Sequence, residues 1–308
     1  MTTNTNLILR AAALSAAMLC GMAQAGPQAY VASSGSDANT AAGCSRAKIC
    51  RTLRAAMSVV DAGGVVVALD AAEYGFVRIT KSVTIEGNGL ALIAPPAGDG
   101  IDIPAAGLDV VLRGLIVKGS SGGSGINVMA AGSLTVDKCE VSNFLQGLFV
   151  DAAAHVHVID SVFARNSNGA RFGGGAAADV ARSYFIDNRG AGVVVGATGV
   201  STSVSMADSF ASDNHLDGVM VSGDATSLGQ VALIRSTASN NRRWGFAVTS
   251  GGILSVGESL AAGNATGFAQ IPGIVSAGPP GVFETFGNNI VRQNGTATTG
   301  NITAVPGI

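Results

Sequence analysis

Three short stretches, one repeat apart, hold the side chains best suited to chemistry: Asp187 and Arg189; Asp213, His215 and Asp217; Arg242, Arg243 and Trp244. Trp244 is the only tryptophan. An aromatic face beside guanidinium and carboxylate groups can hold a sugar ring, the ring supplying apolar contact and the charges supplying hydrogen bonds. The same set could imitate a lyase, with carboxylates binding Ca²⁺ through oxygen and an arginine taking the proton beside a uronate. It could equally be a solvated turn with local ion pairs and a tryptophan lying over the chain. The expectation taken forward is carbohydrate contact without catalysis, at a polysaccharide or surface glycan. The first alternative is a lyase or hydrolase acting on an acidic polysaccharide, and the second is a structural or adhesive module. No catalytic residue, metal or cofactor is assigned; calcium enters only with the lyase alternative.

These stretches are positioned by a recurrence. A glycine followed by an apolar–any–apolar triplet occurs at Gly100, Gly125, Gly147, Gly169, Gly192, Gly218, Gly245 and Gly267. Short strands at a fixed period near one coil, with no helical pattern between them, mark a solenoid. The fold class expected is all-β, a right-handed parallel β-helix with coils of about 22–27 residues. The glycines suit turns that need positive φ.

Aligning the coils gives three columns. An asparagine recurs at Asn143, Asn166, Asn188, Asn214, Asn241 and Asn264. Five residues earlier stand Lys138, Ser161, Ser183, Ser209, Ser236 and Ser259. One residue before these the column reads Asp137, Asp160, Arg182, Asp208, Arg235, Glu258. In a parallel solenoid like residues stack about 4.8 Å apart. Buried amides can then bond one another along the axis, and from Asp160 onward each charge lies beside an opposite one. These residues are expected to serve the scaffold.

The remaining chain fits around the coils. Leu53, Ala56, Met57 and Val60 form a helical stripe, expected to cap the open end near residue 60. Strand-like segments follow at 65–69, 76–79, 83–85 and 90–93, and 282–308 is expected to supply a last rung and a cap. Residues 1–25 read as a secretory signal, with Arg10 before an apolar stretch and small residues at Ala23 and Ala25. The domain plan expected is therefore 1–25 signal, 26–64 N-terminal segment with disulfide loop and capping helix, 65–281 parallel β-helix, and 282–308 last rung and cap. Export to the periplasm or beyond makes Cys44 and Cys50 a local disulfide and leaves Cys139 as a buried apolar residue. Charged residues are only 12% and the net charge is −2, which excludes a generally basic nucleic-acid-binding surface. No uninterrupted apolar run reaches the ~18 residues of a spanning helix. His155 and His157 could form half a metal site, but no nearby Cys or Glu completes it.

The stretch Tyr30 to Asn39, then Cys44, Cys50, Arg51 and Thr52, then Ile79 to Ile85, together with Phe286 to Asn289 and Asn294 to Thr296, carries a resemblance. It resembles the pectin-lyase-like right-handed parallel β-helix superfamily, and within it a group of small secreted bacterial proteins of unassigned activity. The superfamily includes lyases, hydrolases, epimerases, phage tailspikes and adhesins, so the resemblance implies fold more than reaction. A hydrolase of that superfamily would need paired carboxylates facing one bond. Asp99 and Asp102 offer an echo, yet the next coil supplies Ser124 and Asn127 instead. In lyases of this fold the outward face of the repeated strand tends to carry an acidic calcium cleft. Here that column reads Asp102, Asn127, Phe149, Arg171, Val194, Met220, Ala247, Ala269. The apolar run implies a surface covered by a loop or by protein, centred on Phe149, Val194 and Met220.

Overall fold

The computed structural model describes residues 28–273 and 278–306, so the expected signal segment lies outside the described residues. Strands alternate short turns throughout, and each coil contributes three. One such coil comprises His155–Ile159, Val162–Ala164 and Asn168–Gly173; the next comprises Ala177–Ala181, Tyr184–Ile186 and Val193–Gly196. Pairing is parallel and in register between coils, as in Val156↔Ala178, Ala178↔Val204 and Val204↔Val231. The first two strands of each coil belong to one continuous sheet, and the third belongs to a separate ten-stranded sheet. The expected parallel β-helix is present.

Apolar residues at alternate positions point inward and fill the axis, Phe163 stacking on Phe185 at 5.2 Å between ring centroids. The helix Leu53–Val59 covers the first coils with Leu53, Ala56 and Met57 buried, and Thr52 caps its start by accepting from the Ala55 N–H. Cys44 and Cys50 are disulfide-bonded just before it. Two expected strands, at 83–85 and 90–93, prove to be one strand, Val83–Ile93, carrying a register shift between Glu86 and Ala91. The end of the chain also carries more strand than expected: Thr296–Thr299 and Ile302–Ala304 follow Ile290–Arg292.

The bends explain the polar columns. At the first bend Lys138, Asp160, Arg182, Asp208, Arg235 and Glu258 all have φ between +46° and +52°. At the second, Asn143, Arg165, Asp187, Asp213 and Asn240 lie between +54° and +63°. Left-handed backbone costs a non-glycine residue about 1–2 kcal/mol, and the residue after each bend offsets it. Ser161, Ser183, Ser209, Ser236 and Ser259 are buried after the first. Each of the first four donates its backbone N–H to the hydroxyl one coil on, and Ser183 Oγ donates back to Ala181. After the second bend stand the five buried asparagines Asn166, Asn188, Asn214, Asn241 and Asn264, joined to one another and to half-buried Asn294 by amide-to-amide and amide-to-backbone bonds of 2.9–3.1 Å.

Two expectations are corrected here. Asn143 is a bend residue, and Phe144 takes the ladder position: its N–H donates to Asn166 Oδ1 at 3.0 Å. The columns upstream shift with it. Cys139 takes the serine position, its N–H donating to Ser161 Oγ, and Lys138 replaces Asp137 in the charged column. That column then alternates without exception from Lys138 to Glu258. The repeated glycines, in turn, do not have positive φ. A Cβ at Gly147 would lie 2.4 Å from the Gly169 carbonyl oxygen and 2.8 Å from Asn166 Nδ2; at Gly169 the same contacts would be 2.5 and 3.0 Å. Close approach to the backbone carbonyl one coil on, and in several coils to the asparagine ladder as well, requires glycine there, not turn geometry.

Candidate functional site

The candidate residues occupy the short run between the asparagine ladder and the repeated glycine. Backbone bonds set their register: Arg189 N–H donates to Asn166 O, His215 N–H to Asn188 O and Arg242 N–H to Asn214 O, all within 2.8–3.0 Å. Arg189, His215 and Arg242 therefore form one column on consecutive coils, about 4.8 Å apart. The next positions hold Leu216 and Arg243, joined by Arg243 N–H donating to Leu216 O at 2.9 Å. Asp217 and Trp244 each precede a repeated glycine and lie opposite one another, Gly218 N–H donating to Trp244 O at 2.8 Å.

Asp217, Arg243 and Trp244 form a compact unit. The Asp217 side chain is 1% exposed and receives the Arg243 guanidinium in two bonds, Nε to Oδ1 at 2.7 Å and Nη2 to Oδ2 at 2.5 Å. Trp244 N–H points at the same carboxylate, 3.4 Å from Oδ1. The guanidinium carbon lies 4.1 Å from the centre of the indole, so cation–π attraction adds to the ion pair. The hydrogen bonds that Arg243 donates to Asp217 raise the guanidinium pKa above its already high ordinary value. A buried charge survives only when paired and hydrogen-bonded, and Asp217 is both.

The other candidates stay apart. Asp187 and Asp213 are exposed bend residues on the far side of the ladder, and Asp213 Oδ1 accepts from Asn240 Nδ2 at 3.2 Å. Among the described residues, the side chains of Asp187, Arg189, His215 and Arg242 have no hydrogen-bond or ion-pair partner. Among the described residues no group of three His, Cys, Asp or Glu is placed to hold a metal ion. His157 Nδ1 lies 3.4 Å from Asp179 Oδ2 on an exposed face, and His155 stands beside it without an acidic partner. Asp99 and Asp102 are engaged as well. Asp99 accepts from the Ser124 N–H at 2.6 Å and from Asn127 Nδ2 at 3.0 Å, and Asp102 pairs with Arg78 at 3.0 Å.

The outward column of the third strands runs in the expected register, Phe149↔Arg171, Arg171↔Val194, Val194↔Met220 and Met220↔Ala247. Phe149, Val194 and Met220 are half-buried, and Ala247 and Ala269 are fully covered. The most exposed aromatic pair lies on another face. Tyr184 and Phe210 follow the serine column directly and are 42% and 37% exposed, with rings stacked at 4.9 Å. Sequence reasoning passed over them, although both stand one residue after a ladder serine.

A family model described as right handed beta helix region matches residues 66–206. The solved structure of pectate lyase Pel9A is similar to this chain with a TM-score of 0.57 and 16% identity, covering 90% of this chain and 77% of that one. The A-module of the Azotobacter vinelandii mannuronan C-5 epimerase AlgE6 gives a TM-score of 0.44 and 14% identity, over 92% of this chain and 90% of that one. None of the curated proteins matches. At 16% identity the likeness to the lyase is one of fold alone: this chain is a right-handed parallel β-helix, an architecture defined by its coil and not by a reaction. No helix among the described residues is long and apolar enough to cross a membrane.

Proposed function

We propose that this protein is a secreted β-helix module that holds a carbohydrate at the Trp244 corner without cleaving it. The observation that carries the reading is the Asp217–Arg243–Trp244 unit. Two hydrogen bonds from a guanidinium to a buried carboxylate, with that guanidinium against the indole, fix the aromatic ring before any ligand arrives. Preorganisation of this kind lowers the ordering cost of binding. Arg189, His215 and Arg242 add a row of unpaired donors on neighbouring coils, suited to hydroxyl and ring oxygens. Both oxygens of Asp217 are taken by Arg243, which argues against a role for that carboxylate as calcium ligand or general base. The Cys44–Cys50 disulfide supports residence in an oxidising compartment.

Lyase chemistry remains the competing reading, favoured by the pectate-lyase fold and by three unpaired basic groups in a row. A polysaccharide panel separates the two. Binding that is lost in Trp244→Ala, with no unsaturated product by ultraviolet absorbance with or without EDTA, supports the binding module. Unsaturated product from the wild type, abolished in Arg242→Ala or by EDTA, would replace it with the lyase.

A further inference from the structure

We propose that the face carrying Tyr184 and Phe210 is a self-association surface, occupied by a second copy of this chain lying antiparallel across it. The two rings are stacked with 3° between their planes, each covering one face of the other, and their outer faces are turned to the neighbouring rungs at Val162 and Thr237, so their edges point to solvent. A sugar stacks on a ring face, so this pair is unsuited to the ligand proposed for Trp244. It belongs to a column, Val162↔Tyr184, Tyr184↔Phe210 and Phe210↔Thr237, that continues through Leu260 to Ile290, which is 59% exposed.

At its other end the column begins with the exposed Glu140, paired to Val162. Two residues before Glu140, Val162, Tyr184, Phe210, Thr237 and Leu260, in the same coils, stands the alternating bend column: Lys138, Asp160, Arg182, Asp208, Arg235, Glu258. Within one chain Arg182 bonds Asp160 and Arg235 bonds Asp208, at 2.7 and 2.8 Å. An alternating row with an even number of members has a further property. Turned end for end about a two-fold axis at its middle, it meets itself with every pair opposite in sign. Lys138 then faces Glu258 of the second copy, Asp160 faces Arg235, and Arg182 faces Asp208. A two-fold axis running across the coils, within the interface, keeps each column opposite itself. It passes between the Arg182 and Asp208 coils, so each Tyr184 meets the other copy's Phe210.

The same alternation rejects other arrangements. Sliding one copy by a single coil sets like charges opposite along the whole row. A parallel copy laid column on column does so too. Attraction in one register and repulsion in its neighbours is what specifies a partner. The row spans five coil steps, roughly 24 Å, so the contact falls with small, transient interfaces and is weakened by salt.

Sedimentation velocity on the full chain over a concentration series, at low and high salt, tests this. Wild type is expected to dimerise reversibly, less so at high salt. Arg182→Asp and Asp208→Arg, each folded by circular dichroism, are each expected to weaken association roughly tenfold or more. An equimolar mixture of the two restores it, because position 182 of one variant then faces position 208 of the other with opposite charges at both contacts. Phe210→Ser weakens it without a charge change. A wild type that stays monomeric throughout would overturn the proposal. So would variants that associate like wild type, or a mixture no better than its components.

Discussion

Replacing Asn214 by alanine removes the middle rung of the amide ladder, and the cost follows from its partners. Asn214 Oδ1 accepts the backbone N–H of Asn188 at 3.0 Å and its side-chain amide at 2.9 Å. Asn214 Nδ2 donates to Phe185 O and to Asn241 Oδ1, both at 3.0 Å. In Asn214→Ala the buried Asn188 N–H is left without an acceptor, at about 1–3 kcal/mol. The lost bonds to Phe185 and Asn241 add about 1 kcal/mol each, so the expected loss is about 3–5 kcal/mol. Against a total stability on the order of 5–15 kcal/mol that is a large fraction. Asn143→Ala is the control, since Asn143 sits at a bend and its side chain bonds to none of the described residues; left-handed backbone there costs alanine about 1 kcal/mol. Denaturant unfolding followed by circular dichroism measures both. Hydrogen exchange at the Asn188 amide detects the local opening that solenoids allow. An Asn214→Ala loss within about 1 kcal/mol of zero, or equal losses at the two sites, would refute the ladder as the element that holds the coils.

Burial pushes the Cys139 thiol up to about 12, so it is expected to ignore a thiol reagent near pH 8 until the chain is unfolded. Cys139→Ser should stay within about 1 kcal/mol of wild type in the same unfolding assay, because the position is a serine in the five coils that follow. Hydrogen bonds from Arg182 and Arg235 hold Asp160 and Asp208 below the usual carboxylate range. Their contribution is fully present above the unfolded value of about 3.9 and is lost as pH falls through the depressed folded values. Titration followed by NMR should show Arg182→Ala returning Asp160 toward the ordinary value while Asp208, still bonded to Arg235, remains depressed.

The glycine recurrence was enough to read the coil, and the stacked asparagines, serines and charges were readable because a parallel solenoid puts like on like. The register slipped only where one coil departs from the pattern. Phe144 and Cys139 are apolar residues in polar columns, and Asn143 one position away imitated the missing member. The reason for the repeated glycines was also hidden, because the contact they avoid is with a backbone one coil distant. At the candidate site the sequence gathered eight residues by proximity along the chain. Three of them act together, since the buried ladder separates Asp187 and Asp213 from Arg243 and Trp244. That Asp217 and Arg243 would find each other depended on side-chain reach between coils, which spacing alone does not contain.

The central claim, binding without cleavage at Trp244, meets its most direct test in one sample. A polysaccharide found to bind on the panel is incubated with the wild type and with Trp244→Ala, then analysed for bound protein and for chain length. The account predicts a polymer that retains the wild type, releases the variant and keeps its full length in both. A shortened polymer with the wild type, or equal retention of the variant, would contradict it.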